Sequence, residues 1–188
     1  MHEVLFVATQ FQTIQEAVDA VKGPTTIVIE PGSYDETVVV RDKEYLVIQS
    51  ARLSRRGVAI GGRDGWNVLA VENATLHLSG VEVRSNGRLR GISVTDSTLT
   101  LQDCIVAGNR TWTRPGADGV GGGMECRHSS VRIQKSTIAG NTVDHLEGSA
   151  GTRARTSRSY SSCLAACRLG GRRRRRCSNP GQARRCRS

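Results

Sequence analysis

The chain has little of what a membrane span, a helical bundle or a cystine framework requires. Its longest apolar run, Val4–Ala8, is five residues, far below the ~20 of a membrane-crossing helix, so no span is read. Aromatics make up 4% of the 188 residues and there are two methionines against 21 glycines, a balance that suits short strands and turns. No basic stretch precedes Val4 and no small-residue cleavage site follows it, so no secretory signal is visible. Acid is absent after Glu147. All 17 Asp and Glu lie within residues 1–147 beside 15 Lys and Arg, a balance of −2, whereas residues 148–188 hold 12 Arg and no Lys. The formal charge of +10 therefore belongs to the tail, and the length fits one domain of 1–147 with an appended segment.

Tight cysteine pairs are also missing. Cys163, Cys167, Cys177 and Cys186 lack the two-residue spacing of zinc ribbons, so no structural zinc is expected. Cys104 and Cys126 sit in apolar-alternating stretches, where a free thiol acts as a small hydrophobe. His2, His77, His128 and His145 fall in different columns or at ends, so no metal triad and no cofactor are expected.

What is present is a repeat. VLAVENATLHLSGVEVRSN from Val68, GISVTDSTLTLQDCIVAGN from Gly91 and GMECRHSSVRIQKSTIAGN from Gly123 align without a gap. Their columns keep one phase: Val71, Val94 and Cys126; Leu76, Leu99 and Val131; Leu78, Leu101 and Ile133; Val83, Val106 and Ile138. Polar columns fall between, His77 with Thr100 and Arg132, and Ser79 with Gln102 and Gln134. Alternation of period two held across units means strands with one face inward and one in water. With no helical segment between copies, equivalent strands stack parallel, turn upon turn. The shared Asn86, Asn109 and Asn141 are expected at tight turns, since Asn tolerates left-handed backbone and its amide can bond along a stack.

Ahead of the repeat, Phe11, Ile14, Val18 and Val21 follow helical spacing, Thr13 and Glu16 form a capping box, and Gly23-Pro24 is a stop. This predicts a short helix over about 11–22 covering one end of the core. FQTIQEAV (Phe11–Val18), IVIEPGSY (Ile27–Tyr34) and ETVVV (Glu36–Val40) resemble the N-terminal signature of the pectin-lyase-like superfamily, and STLTLQDCIVAGN, ending at Asn109, resembles its right-handed parallel β-helix repeat. The resemblance spans about residues 4–147. It implies an all-β, right-handed parallel β-helix solenoid of about four to five coils, with a capping helix and, by family habit, a secreted or cell-surface location.

Activity does not come with the fold, because that superfamily holds pectate lyases, polygalacturonases, pectin methylesterases, tailspikes and non-catalytic surface proteins. Glycosidic cleavage needs converging carboxylates. The outward columns Asn73, Asp96, His128 and Gly80, Asp103, Lys135 hold one acid each. Where the resemblance implies a Gln-Asp-Thr motif for the esterase branch, Gln102 and Asp103 are followed by Cys104. A complete active site is not expected here. If one ever existed, it was a polysaccharide lyase or hydrolase site carried by coils this chain lacks.

The expected function is therefore non-catalytic carbohydrate or surface recognition. The outward residues Gln102, Arg132 and Gln134 are one candidate contact set. The other is the insertion Arg110–Gly122, whose Trp112 can stack on a sugar while Arg114 and Asp118 bond its hydroxyls. Trp66, behind a glycine-rich turn, is read as packing. Residues 148–188 cannot bury a core and are expected to be disordered. Their composition is that of a GC-rich message read out of frame, which would cut a longer β-helix short. The functional alternative is a phosphate-neutralising arm at Arg172, Arg173, Arg174, Arg175 and Arg176, binding nucleic acid without sequence preference. An uncovered last coil around Ile138 predicts edge-to-edge self-association.

Overall fold

The computed structural model describes residues 2–52, 57–63, 65–85, 89–113, 121–146, 155–159 and 164–165. The chain enters through β1 (Glu3–Val7) and helix α1 (Ile14–Ala20), then makes repeated passes of three strands. The first pass is β2 (Thr25–Ile29), β3 (Gly32–Tyr34) and β4 (Val38–Arg41); the second is β5 (Leu46–Ser50), β6 (Val58–Ile60) and β7 (Asn67–Glu72). The third is β8 (Thr75–Ser79), β9 (Val81–Val83) and β10 (Arg90–Thr95). A fourth runs through β11 (Thr98–Gln102), β12 (Ile105–Ala107) and, after an excursion into β13 (Arg110–Thr113), β14 (Met124–Arg127). β15 (Ser130–Gln134) and β16 (Thr137–Ala139) open a fifth, followed by β17 (Thr142–Leu146), β18 (Arg155–Ser159) and β19 (Leu164–Ala165).

First strands of each pass form a six-stranded sheet, β1-β2-β5-β8-β11-β15; second strands form β3-β6-β9-β12-β16; third strands form β4-β7-β10-β14, extended by β19. A small fourth sheet joins β13, β17 and β18. Among the described residues all pairings are parallel except β17 with β18, and none of these sheets closes on itself. Among the described residues the chain is all-β, with one helix.

The columns read from the sequence are the registers observed. Leu5, Ile27, Ile48, Leu78, Leu101 and Ile133 are successive partners across one sheet. Val40, Val71, Val94 and Cys126 are partners across another, and Val83, Val106 and Ile138 across the third. These side chains point into one shared core, where each fully buried Leu or Ile contributes about 1.5–3 kcal/mol.

Corners are built by two devices. Asp42, Asn73, Asp96 and His128 stack with left-handed φ of 54°, 47°, 49° and 49°, and Gly80, Asp103 and Lys135 repeat this at the next corner. The outward columns screened for acids are thus turn positions. The asparagine column differs from expectation, because its left-handed residues are Gly108 and Gly140, one position earlier, while Asn109 and Asn141 are buried. Asn109 Nδ2 donates to Asn141 Oδ1 at 2.9 Å and to Val83 O at 3.1 Å, and the Asn141 oxygen also accepts from the Asn109 N–H. The amides lie inside the corner because Gly91 and Gly123 pack against them so closely that a Cβ would clash. Asn86 lies outside the described residues, and Ser85 supplies the N–H received by Asn109 Oδ1 at 2.7 Å.

Helix α1 is shorter than predicted. The capping box of Thr13 and Glu16 forms, but Val21 is already extended, with its N–H tied to Val18 O. Val21 is buried against the coils, and that packing ends the helix before Gly23. Phe11 lies outside the helix, bridged to Val7.

Two further expectations change. Cys126 faces inward as predicted but is disulfide-bonded, its partner lying outside the described residues; alternation shows which way a side chain points and not what meets it at the end of a stack. Cys104 is free and buried. Of the arginine-rich segment, where composition predicts no structure, β18 and β19 pair with β17 and β14. Unpaired N–H and C=O groups on a last coil favour any strand that can reach them. The rest of 148–188, including Arg172–Arg176, lies outside the described residues.

Candidate functional site

Two regions carry the side chains singled out by the sequence, on different sheets. The first is the outward face of the six-stranded sheet. There Gln102 and Gln134 are direct partners, as are Thr100 and Arg132, with Ser79 and His77 one strand back. Neighbouring strands lie ~4.8 Å apart, so each row repeats its polar groups at that interval. Towards the other end the same rows turn apolar, through Gln49 and Val28 to Phe6, and through Val47 and Thr26 to Val4. Phe6, Val4 and Tyr45 are exposed, and the Tyr45 ring lies 5.2 Å from that of His77 at a 48° tilt. Sequence reasoning passed over Phe6 and Tyr45, although their outward phase is fixed by buried Leu5 and Leu46.

The second region is the corner from which the insertion leaves. Trp112 on β13 is half-buried, and the Arg110 guanidinium stands 5.2 Å above its ring. Arg110 Nε and Nη2 both reach Asp144 Oδ2 at 2.5 Å. Asp144 is 1% exposed, and its Oδ1 is the one buried side-chain polar atom without a partner among the described residues. The β13–β17 register places Trp112 opposite Asp144. Arg114 and Asp118 lie outside the described residues, so Trp112 alone of the predicted loop set is placed.

The returning end of the insertion is held by a second pair. Arg90 Nε donates to Gly121 O at 3.1 Å and its Nη1 to Asn67 Oδ1 at 3.3 Å, while Glu125 takes an ion pair from it. Arg127 bonds the other Glu125 oxygen from Nε and Nη2 at 3.0 and 2.9 Å. Burial pulls the Arg90 guanidinium below its ordinary pKa; the Glu125 charge pushes it back up and Arg127 adds to the depression. Both ends of the insertion are thus anchored to buried carboxylates, Asp144 and Glu125. A carboxylate left alone there would be costly. Arg90 and Glu125 lie on the neighbouring strands β10 and β14, where Glu125 is the partner of Ser93, but nothing in local sequence linked Arg110 to an acid 34 residues away.

Trp66 corrects the packing assignment: it is 81% exposed. Gly62 and Gly65, with φ of 64° and 97°, turn the chain so that the indole projects away from the core.

No group of three His, Cys, Asp or Glu able to hold a metal occurs among the described residues, and no helix there is long and apolar enough to cross a membrane. Comparison with family models, with curated proteins and with solved structures finds no match to this chain.

Proposed function

We propose that this chain is a right-handed parallel β-helix of the pectin-lyase-like kind that recognises carbohydrate, free or on a cell surface, without chemical turnover. The handedness rests on the three-sheet order of every pass, since crossovers between parallel strands are right-handed in nearly all cases. The recognition reading rests on one observation above the others. Gln102 and Gln134 occupy adjacent rungs with Thr100 and Arg132 beside them, a repeated set of donors and acceptors suited to a polymer that repeats its hydroxyls. Asp96 and Asp103, which flank β11, sit at separate left-handed corners, which is unfavourable for two carboxylates acting on one bond.

Glycan-array binding by the full chain tests the reading. Retention of at least one oligosaccharide class, weakened in Gln102→Ala/Gln134→Ala, is the expected result. Binding to no glycan, or release of unsaturated or reducing products from pectin, would overturn it. So would capture of RNA with no glycan retained, which would point instead to the arginine run at Arg172–Arg176.

A further inference from the structure

We infer that the outward face of the six-stranded sheet takes an uncharged, linear polysaccharide laid across its strands, from the Phe6 end to the Gln134 end. The inference rests on the carbohydrate reading and adds the class of polymer and the direction in which it lies.

Charge is nearly absent from this face. Two outward rows run the length of the sheet, one from Val4 through Val47 and His77 to Arg132, the other from Phe6 through Gln49 and Gln102 to Gln134. Neither row holds an Asp, a Glu or a Lys, and Arg132 is the one arginine. A shorter row beside them continues in kind, with Thr75, Thr98 and Ser130 in register. The neighbouring sheet differs. One of its outward rows contains Arg41, Glu72 and Arg127, and Arg41 pairs with Glu72 at 2.7 Å. Soluble surfaces ordinarily intersperse charges of both signs, so the uncharged rows set one face apart from the rest of the coil stack.

That pattern selects among polysaccharides. A polyuronate laid along the rows would bring carboxylates at every rung, and Arg132 at the last rung is the only fixed cation to meet them. The remaining charges would be desolvated without a partner, which is unfavourable. A neutral polymer makes no such demand. The amides of Gln49, Gln102 and Gln134 and the hydroxyls of Thr98 and Thr100 can exchange hydrogen bonds with its hydroxyls, and the exposed Val4, Phe6 and Tyr45 can cover its C–H faces. A second copy pressed sheet to sheet would instead bury those glutamines against other side chains with no hydroxyl polymer to satisfy them.

Direction follows from dimensions. Five strand intervals make the face ~24 Å long across the strands, whereas Thr75 to Ser79 spans ~13 Å along one of them. Polar groups recur at ~4.8 Å in the long direction, which suits a ligand that repeats its own.

The full chain is pelleted with insoluble cellulose, chitin, xylan and mannan, and mixed separately with polygalacturonate and alginate. Both sets are run at ~0.15 and ~1 M salt; the higher concentration cuts electrostatic range to ~3 Å and suppresses attraction of polyanions to the arginine-rich segment. The expected result is retention on at least one neutral polymer, equal at both salt concentrations, and none on the polyanions at the higher. Val47→Asp, which sets a carboxylate in the middle of the face, should weaken retention about tenfold, while Val47→Thr, of the same shape, should stay within about twofold. Thr95→Asp, which adds the same charge on the neighbouring sheet, should bind as the native chain does. Phe6→Ala and Gln134→Ala, at opposite ends, should each weaken retention of the same polymer about fivefold, with far-ultraviolet dichroism unchanged.

Full retention by Val47→Asp overturns the face, and a loss confined to one of the two end variants overturns the direction. Binding restricted to anionic glycans overturns the neutral class while leaving the carbohydrate reading intact. Retention on no polymer and no array glycan overturns both. Self-association that Val47→Asp abolishes, with no polymer retained, also overturns the inference, because the face would then be a contact between copies.

Discussion

The two ends of the coil stack solve the same problem with different completeness. At the first end, α1 lays Ile14, Ala17 and Val18 over the core, all buried. Its Gln15 side chain imitates a strand, accepting from the Val39 N–H at 2.7 Å and donating to Val39 O at 3.2 Å. Glu36 takes the first helical N–H groups of Ile14 and Gln15 at 2.8 and 2.9 Å. Apolar surface, edge backbone and helix start are satisfied together. At the other end β15 and β16 terminate their sheets, and Ile133 and Ile138 are only partly buried, although Leu101 and Val106 one rung inside are fully so. A parallel stack gives every rung the same neighbours except the last, so stability per side chain should depend on distance from the open end.

The largest test of that gradient is a pair of truncations followed by urea unfolding. Ile14→Ala should cost about 2–4 kcal/mol, and Ile138→Ala less than ~1 kcal/mol, because the second site was never fully removed from water. Equal losses would remove the contrast. The asparagine ladder gives the next effect. Asn109→Ala strips a buried amide bonded to both adjoining rungs and should cost about 2–3 kcal/mol, whereas Asn141→Ala loses bonds on one side only and should cost about half as much.

Gln15→Ala leaves the Val39 N–H and C=O unmatched at an otherwise closed edge. A loss of about 1–2 kcal/mol is expected, together with faster amide exchange confined to β4. Ile138→Lys, at the open end, should change stability by no more than ~0.5 kcal/mol. The open edge predicts concentration-dependent association of the native chain in sedimentation, reduced in this variant because a charge on an edge discourages pairing; a native chain that does not associate, or a variant that associates equally, would contradict an adhesive edge.

The smallest effect is one of pH. Burial raises the pKa of the Cys104 thiol above its ordinary value, against opposing hydrogen bonds from backbone groups at Val81, Gln102 and Gly80. A raised acid favours the fold while protonated. Its contribution is complete below the unfolded thiol value of about 8.5 and is lost as pH climbs through the higher folded value. Stability of the native chain should therefore fall more steeply above that point than stability of Cys104→Ala.

The coil registers were legible because period-two alternation fixes facing, and three in-phase copies fix stacking: Leu76, Leu99 and Val131 are observed partners. The cap was legible from Thr13 and Glu16, though its length was not, since packing of Val21 overrode the helical spacing. The corner cluster was largely hidden. Asp144 lies after the last aligned copy, so no column predicted its meeting with Arg110. Trp66 follows a glycine-rich turn, which says that the chain bends and not which way the indole then points. Asn109 was placed on the right corner for half the right reason: its amide does bond along the stack, but Gly108 takes the left-handed geometry.

Stacking of rungs carries all of this, and a pair of spin labels reads it directly. His77 and Arg132 project from the same outward row two rungs apart, a backbone separation of ~9.6 Å. Labels attached at His77→Cys and Arg132→Cys, in a background with Cys163, Cys167, Cys177 and Cys186 replaced by Ser and with Cys104 and Cys126 left buried, should broaden each other strongly in the continuous-wave spectrum of frozen solution. The two singly labelled proteins, summed, should lack that broadening. A doubly labelled spectrum identical to the sum would place β8 and β15 apart and contradict the account.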